Sequence, residues 1–365
     1  MTEGRAIRRR RGRPRFDEAL LAIDLFSGLG GLTLGLKRAG FRVIGAVERD
    51  ALAVESYALN HRGTRVWPTD IAEVDPLEVL GALSLEPGRL DLLAACPPCQ
   101  GFSAIRTLNR QLAVADDRND LLFAILPFLR ALRPKTLMME NVPGLSTDKR
   151  FRTFQECLDA LGYCMTLGVL NAAEFGVPQR RRRLILLASL LGSVTHAPPA
   201  RRRYTVRHAI GRMPSPGTSG DAAHDLREVR SERILQLIRS IPKDGGGRAA
   251  LGDDNQLKCH RRVDGFRDVY GRMAWDDVAP TITGGCINPS KGRFLHPDED
   301  RAITLREAAL LQSFPPDYQI SLRRGKYAAA EMIGNALPPR FIAHQARGLG
   351  EHIWTHRATN GENGG

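Results

Sequence analysis

The sequence is poor in two features that mark whole classes of protein. Six cysteines in 365 residues are too few for a disulfide-linked scaffold, so we expect reduced thiols and a cytoplasmic protein. No uninterrupted apolar run reaches about 18 residues, so no membrane-spanning helix is predicted. The apolar stretch near residue 20 is interrupted by Asp24 and a Ser27–Gly28 turn, and we therefore do not interpret it as a signal peptide.

Acidic residues are also in the minority. Lysine and arginine number 53 against 40 aspartates and glutamates, which gives a net charge of +13. Residues 1–15 hold seven arginines and one glutamate, and the remainder still carries +7 of that total. An excess of this size favours a polyanionic partner. We expect residues 1–16 to form a basic disordered arm.

Short β-rich runs alternate with helical patterns through the first 190 residues, which is typical of a doubly wound α/β sheet. The predicted strands are 20–24, 41–48, 90–95, 136–140, 164–170 and 183–188. The predicted helices are 30–39, 51–60, 119–132 and 151–161, with a kink or break at Pro127. We assign residues 17–192 to a first, regular domain.

The second half of the chain is less regular and rich in proline and glycine. We assign residues 193–326 to a second, smaller domain with one helix near 231–241. Thr304 and Glu307 form a predicted capping box at the start of another helix. Residues 327–356 should return as helix to the first domain, on either side of a Gly–Asn break, and residues 357–365 should be a disordered tail.

Chemically useful side chains follow four predicted strands. They are Phe26 to Gly28, Glu48, Cys96 to Gln100, and Glu140 with Asn141. Open α/β sheets bind ligands outside the carboxyl ends of their strands, so these residues predict an active-site edge. The turn "DLFSGLGGLT" departs from the strict dinucleotide fingerprint at Thr33. With an acid 20 residues after Gly28, it predicts a nucleoside-bearing cofactor without separating a nicotinamide from S-adenosylmethionine.

Cys96 and Cys99 raise the question of a redox pair, half of a zinc site, or a single nucleophile. Two prolines fill the gap between them, which is poor chemistry for the helix start that a redox cysteine uses. No second close pair of ligands completes a zinc site. The residues therefore favour Cys99 as a nucleophile held by prolines at a strand end. In a basic protein with a nucleoside-bearing cofactor, such a thiolate has a natural use on cytosine. Its attack at carbon 6 would activate carbon 5 to accept a methyl group, and Glu140 is placed to supply the acid at ring nitrogen 3.

At these residues the sequence resembles the cytosine-5 DNA methyltransferase family of bacterial type. The matching stretches, in family order over residues 20–345, are "DLFSGLGG", "PPCQGFS", "ENV" (140–142), "QRRRR" (179–183), "TLREAALLQSFP" and "IGNALPP". The resemblance implies a Rossmann-like methyltransferase sheet with a smaller irregular target-recognition domain. It also implies methylation of carbon 5 of cytosine within a specific duplex DNA sequence, through base flipping and a covalent adduct with Cys99.

The resemblance also assigns site residues. The catalytic residues implied are Cys99, Glu140, Arg181 and Arg183, whereas Cys96 should pack without a chemical role. The residues implied for S-adenosylmethionine are Phe26, Gly28, Leu29, Gly31, Glu48, Asp70, Ile71, Pro98, Leu121 and Asn335. No metal is expected.

Contacts to DNA are expected from three places in the chain. Thr281 and Thr283 belong to "APTITGGC", which resembles the family's Thr-rich loop in the target-recognition region. Arg106 and Arg110 lie in a loop that lacks the glycines usual in the family, and each could bind phosphate. Arg11 and Arg13 of "RGRP" are similar to the core of a minor-groove hook, with a non-specific basic arm as the alternative.

The resemblance bears on partners and setting as well. The expected partner is double-stranded DNA, and the same chemistry on transfer RNA is the alternative. We expect a monomer in the cytoplasm, associated with the nucleoid and without a membrane partner. A cognate restriction endonuclease is a candidate functional partner. The target sequence itself has no readable code.

Overall fold

One sheet organises the computed structural model, which describes residues 19–98, 121–251 and 268–359. Within those residues its seven strands lie in the order β3-β2-β1-β4-β5-β7-β6. The strands are β1 (Leu20–Leu25), β2 (Phe41–Val47), β3 (Arg65–Trp67), β4 (Leu92–Ala95), β5 (Thr136–Asn141), β6 (Cys164–Asn171) and β7 (Arg182–Ser189). The predicted α/β class with a Rossmann-like sheet is confirmed.

Strand β7 runs antiparallel to its neighbours, which brings its first residues to the edge of the sheet where the parallel strands end. We call this edge the functional edge. The pairs β1–β2, β1–β4, β2–β3 and β4–β5 are parallel, whereas β7 pairs antiparallel with both β5 and β6. The start of β7 therefore lies at the same edge as the carboxyl ends of the parallel strands. Register places Asn141 opposite Leu184 and Glu140 opposite Ile185, so the arginines that begin β7 lie beside the acid that ends β5.

Helices cover both faces of the sheet. In the first half of the chain they are α1 (Gly31–Arg38), α2 (Ala51–Asn60), α3 (Pro76–Leu83), α4 (Ile125–Leu132) and α5 (Lys149–Ala160). Because side chains alternate along a strand, Ile23 and Leu25 of β1 enter the core beneath α3, α4 and α5. Leu20 and Ala22 enter the opposite core with α1 and the last helix.

The predicted strands and helices of this half are confirmed to within a few residues at their ends, as far as the structure describes them. Two short elements were not predicted, β3 and α3. Helix α4 begins at Ile125, so Pro127 lies in its first turn. Because N–H groups in the first turn have no acceptor within the helix, the missing N–H of proline costs no hydrogen bond there. The predicted break at Pro127 is thus the start of the helix, and residues 119 and 120 lie outside the described part.

The second half has shorter helices and its own apolar core. These are α6 (Val206–Ile210), α7 (Ala222–Asp225), α8 (Glu232–Ser240) and α9 (Leu305–Leu311), followed by α10 (Gly325–Asn335) and α11 (Pro339–Thr359). The predicted capping box is confirmed: Thr304 Oγ1 accepts from Glu307 N at 3.1 Å, and Thr304 N donates to Glu307 Oε2 at 2.8 Å. No helix among the described residues is long and apolar enough to span a bilayer.

Helix α11 continues past the expected boundary at residue 356. Its last turn is held to the sheet, because Arg357 Nη2 lies 2.6 Å from Asp91 Oδ1 and the Arg357 guanidinium stacks over Trp354. Residues 357–359 are therefore helical rather than part of a tail. Residues 360–365 and the arm 1–16 lie outside the described part of the chain.

Candidate active site

The predicted site residues that the structure describes surround one cavity of about 850 Å³ at the functional edge of the sheet. They are Phe26, Gly28, Leu29, Gly31, Glu48, Asp70, Ile71, Pro98, Leu121, Glu140, Arg181, Arg183, Thr281, Thr283 and Asn335. Five further predicted residues, Cys99, Arg106, Arg110, Arg11 and Arg13, lie outside the described residues. The residues that the family resemblance implied thus lie around one cavity, although they are up to 309 positions apart in the chain.

The turn after β1 forms one wall of the cavity through unusual backbone conformations. Phe26, Gly28 and Gly30 adopt left-handed backbone angles, with φ of 62°, 52° and 91°. A Cβ on Gly31 would lie 2.2 Å from the carbonyl oxygen of Leu337, so only glycine allows the turn to approach the C-terminal segment so closely. The glycine-rich pattern therefore reflects both a tight turn and close packing.

Glu48 is fixed at the end of β2 by two backbone donors. Its Oε2 accepts from Gly28 N at 2.8 Å, and its Oε1 accepts from Asp50 N at 2.8 Å. Each carboxylate oxygen has a second acceptor site. The side chain can therefore receive two hydroxyl groups from a ligand while it keeps both backbone bonds.

Asp70 follows β3 and lines the same cavity at the start of a short 3₁₀ segment. Its Oδ1 caps that segment at Ala72 N (3.1 Å), and its Oδ2 pairs with Arg49 Nη1 at 2.8 Å. The backbone bond and then the Arg49 contact lower the pKa of Asp70. Ile71 is buried beside it, so a polar edge meets an apolar surface suited to a planar ring.

Glu140 and Arg183 form the opposite end of the cavity. Glu140 is buried at 3% exposure, and Arg183 Nε lies 2.8 Å from its Oε1 as an ion pair. No described residue gives Oε1 a hydrogen bond of good geometry. A carboxyl group with one oxygen still available and a guanidinium beside it is suited to a heterocycle that presents both a donor and an acceptor.

Cys96, which was expected to pack without a chemical role, contacts the acid Glu140. Its Sγ donates a hydrogen bond to Glu140 Oε2 at 3.0 Å. Burial, and next the charge of Glu140, raise the pKa of the Cys96 thiol well above its ordinary value. Cys96 is therefore a neutral donor, and it is not a thiolate.

Arg181, which immediately precedes β7, bonds to two segments of the second half of the chain. Its Nη1 donates to the carbonyl oxygens of Ile282 (3.1 Å) and Gly334 (3.0 Å). Burial, followed by repulsion from Arg183, lowers its pKa to about 9. Its Nε is buried without an acceptor among the described residues, which leaves a donor at the cavity wall.

Two glutamines not predicted as site residues hold the loops of the cavity together. Gln179 accepts from Ile282 N at 2.8 Å and donates to Gln312 Oε1 at 3.0 Å. Gln312 then donates to the carbonyl oxygens of Ile333 and Ala336. Gln179 is the first residue of "QRRRR" and Gln312 is the ninth residue of "TLREAALLQSFP", so both glutamines lie within recognised motifs although neither was assigned to the site.

A second unpredicted network supports the glycine-rich turn from behind. Tyr318 Oη donates to Leu29 O at 2.6 Å, and His61 Nε2 lies 3.1 Å from Gly30 O and 2.9 Å from Tyr318 Oη. Lys37 Nζ approaches His61 Nδ1 at 3.4 Å. Since Nδ1 faces a cation, Nε2 carries the proton, and burial lowers the pKa of His61 to about 3. No sequence signal distinguishes this histidine.

Comparison with known proteins agrees with this arrangement. Residues 20–351 match the family model described as C-5 cytosine-specific DNA methylase. The chain belongs to that family. As a member it is an enzyme of the DNA cytosine-5-methyltransferase class, and the resemblance read from its motifs is confirmed.

Named relatives cover almost the whole chain. Type II methylase M.HgiDII of Herpetosiphon aurantiacus is 37% identical over 87% of this chain and 91% of its own length. Type II methyltransferase M1.HphI of Haemophilus parahaemolyticus is 32% identical over 88% and 84%. These names belong to restriction–modification systems, which is the context expected for this methyltransferase.

Solved structures share the fold. An E. coli structure described as a prophage-encoded DNA modification methyltransferase superposes with a TM-score of 0.71 at 22% identity, covering 92% of this chain and 99% of the other. The S. pombe Dnmt2 methyltransferase gives a TM-score of 0.58 at 20% identity, covering 92% and 99%. At these identities the likeness concerns the fold alone.

Proposed function

We propose that this methyltransferase transfers a methyl group from S-adenosylmethionine to carbon 5 of a cytosine in a specific duplex DNA sequence. The observation that carries the proposal is one cavity lined by all four groups. The strand order puts Glu48 and Asp70 at its end towards β2 and β3, and Glu140 with Arg183 at its end towards β5 and β7. A donor bound at the first end and a base at the second would meet without any rearrangement of the sheet.

The first end has the chemistry that an adenosyl cofactor requires. Glu48 keeps free acceptor sites for ribose hydroxyls, and Phe26, Ile71, Pro98 and Leu121 supply apolar surface for an adenine. Asp70 offers an acceptor at the edge of that slot, and Asn335 lines the same cavity. When bound, S-adenosylmethionine supplies an electrophilic methyl group.

The second end suits activation of cytosine. Glu140 would hydrogen-bond or protonate ring nitrogen 3, while Arg181 and Arg183 bind the polar edge of the ring and orient the carboxyl group. The Cys99 thiolate adds to carbon 6, so carbon 5 gains enamine character. After carbon 5 is methylated, a water molecule takes its proton, the double bond between carbons 5 and 6 re-forms, and the bond from carbon 6 to sulfur breaks to release the Cys99 thiolate. Cys99 itself lies outside the described residues, and its role rests on the "PPCQGFS" motif.

The target base must leave the duplex, because carbon 6 cannot be reached inside the base stack. The net charge of +13 suits binding to the DNA backbone. Residues 193–326 would then read the target, with Thr281 and Thr283 at the rim of the cavity. Arg106, Arg110, Arg11 and Arg13 would contribute phosphate or groove contacts.

Methyl-labelled S-adenosylmethionine tests the proposal directly. We expect label in mixed-sequence duplex DNA, at carbon 5 of cytosine, and loss of that label with Cys99→Ala. Glu140→Gln should lower the rate by about 10²-fold or more, since acid catalysis contributes on that order. Covalent trapping on DNA that contains 5-fluorocytosine should require Cys99.

Three outcomes would contradict the proposal. Label in total transfer RNA but in no DNA would favour the alternative substrate. Label in DNA that persists in Cys99→Ala would exclude the covalent route. A wild-type protein that binds S-adenosylmethionine and labels neither DNA of varied sequence nor RNA would contradict the assigned activity.

A further inference from the structure

We propose that Cys96 is a positioning residue for Glu140, and that its thiol sets both the orientation and the acidity of that carboxyl group. This inference rests on the proposed function, in which Glu140 is the acid. The contact that motivates it joins Cys96 Sγ to Glu140 Oε2 at 3.0 Å. Both residues line the cavity.

The backbone fixes this contact from several directions. Cys96 immediately follows β4, and its N–H donates to Leu25 O at 3.2 Å. Asn141, the neighbour of Glu140, donates from Nδ2 to Pro97 O at 3.1 Å. The two residues therefore lie on adjacent strands whose ends are bonded to one another, and little freedom remains for the thiol to leave the carboxyl group.

The two carboxylate oxygens of Glu140 face different partners: one faces a positively charged guanidinium and the other a neutral donor. Arg183, on β7, lies 2.8 Å from Oε1. The positive charges of Arg183 and of Arg181, which precedes β7, act to lower the pKa of the Cys96 thiol. The charge of Glu140 in turn acts to raise the pKa of Arg181. Cys96 is thus the neutral donor on the side opposite the guanidinium. Because burial keeps the thiol protonated, it can act on the carboxyl group without competing with Cys99 as a nucleophile.

A thiol has a particular value as a donor at this position. A hydrogen bond to the ionised form of an acid lowers its pKa, and a stronger donor lowers it further. The S–H group is a weak donor, so it orients Glu140 and withdraws little of its capacity to carry a proton. A hydroxyl at the same position would stabilise the carboxylate more strongly, and a methyl group would not stabilise it at all.

Cys96→Ser and Cys96→Ala test this reasoning in opposite directions. The decline in kcat as Glu140 loses its proton should move to lower pH in the serine variant and to higher pH in the alanine variant. Each shift should be about 0.5 unit, the size expected for one neutral hydrogen bond. Cys164→Ser, at an exposed cysteine of β6, should leave the profile unchanged.

The opposite signs separate positioning from a general loss of stability. A merely structural role would lower the midpoint of thermal unfolding and kcat at every pH without moving the profile. Profiles that coincide with the wild type, or that move in the same direction in both variants, would overturn the proposal while methyl transfer by the wild-type enzyme remained intact.

The S–H stretching band in the infrared gives a readout that needs no activity. The wild-type minus Cys96→Ser difference isolates the band of this thiol, and we expect it at lower frequency than the band isolated with Cys164→Ser. Glu140→Ala should move the Cys96 band upward. A Cys96 band at the frequency of the exposed thiol, unmoved by Glu140→Ala, would refute the contact. If the wild type showed no methyl transfer, the proposed function would fail and this spectral result would still decide the contact.

Discussion

At the scale of single residues, the acids of the functional edge differ in how they are held. Glu48 is bound by backbone N–H groups and Glu140 by a guanidinium and a thiol. Asp24 is fully buried on β1, where its Oδ2 accepts from Thr33 Oγ1 at 2.6 Å and its Oδ1 has no partner among the described residues. Three carboxyl groups of one chemical type are thus held by three different sets of donors.

Asp24 makes stability depend on pH in a direction that can be stated. Burial is the main cause that raises its pKa to about 7, against 3.8 in the unfolded chain. The folded state therefore holds the proton more tightly, and the resulting stability is present below pH 4 and lost as pH rises towards 7. We expect Asp24→Asn to gain stability relative to the wild type as pH increases from 5 to 8.

Chemical denaturation at several pH values measures this difference. The mutant-minus-wild-type free energy of unfolding should rise with pH over that window and become flat above it. Asp75→Asn, at the cap of α3, serves as a comparison on an exposed acid. A difference that stayed constant between pH 5 and pH 8 would show that Asp24 is ionised in the folded protein across the window.

The residues of the site were predictable where chemistry and strand position coincide. Glu48 and Glu140 end strands, and such ends face the ligand edge of an α/β sheet. The contact of Cys96 with Glu140 could not be predicted, because it joins side chains that are 44 positions apart. His61 and Tyr318 support the glycine-rich turn through hydrogen bonds of 3.1 and 2.6 Å to its carbonyl oxygens. The spacing of residues in a sequence contains no information about such contacts.

At the scale of elements, a buried arginine organises the region that contains α8 and residues 268–300. Arg272 is fully buried, and its guanidinium donates to the carbonyl oxygens of Ile238, Ile241, His296 and Glu299 and to the carboxylate of Asp300. It thereby joins the end of α8 to the segment before α9, around a small apolar cluster.

Arg272→Met should therefore destabilise this region locally. Several carbonyl oxygens would lose their donor, and breaking such a buried arrangement costs about 3 kcal/mol or more. Hydrogen exchange should accelerate in residues 232–251 and 268–300, while the sheet stays protected. Arg233→Met, at an exposed position of α8, should leave exchange unchanged, and equal protection in the two variants would contradict this account.

The two elements that the sequence did not reveal share a reason. Strand β3 has three residues and pairs only with β2, so it offers too little alternation to detect. Helix α3 runs for eight residues from Pro76 with an Asp75 cap, and its short apolar run does not distinguish a helix from a strand. The central strands β1, β4, β5 and β7 were recognisable because burial on both faces requires continuous apolar runs.

At the scale of the molecule, helix α11 completes the packing on one face of the sheet. Helix α11 packs on α1 and covers Leu36 and Phe41 through Phe341 and Ile342. A Cβ on Gly35 would lie 2.5 Å from Ile342 Cβ, which shows how closely the two helices approach. The residues lining the cavity, however, end at Leu337.

A chain that stops after Pro338 therefore keeps the lining residues and loses their support. We expect it to bind S-adenosylmethionine at least 10-fold more weakly by calorimetry and to unfold at a lower temperature, because one apolar face of the sheet loses its cover. Removal of residues 360–365 alone should change neither quantity. Wild-type affinity in the shorter chain would mean that α11 does not support the cavity.

The position of α11 also bears on the order in which the protein is made. The glycine-rich turn leaves the ribosome early, but Arg181 has no carbonyl of Gly334 to bind, and α1 has no partner helix, until the last segment has been synthesised. A nascent chain would therefore carry every catalytic motif and still lack a finished cavity. Methyl transfer would begin only after α11 has been synthesised and packed, so a chain interrupted before α11 would be inert on DNA.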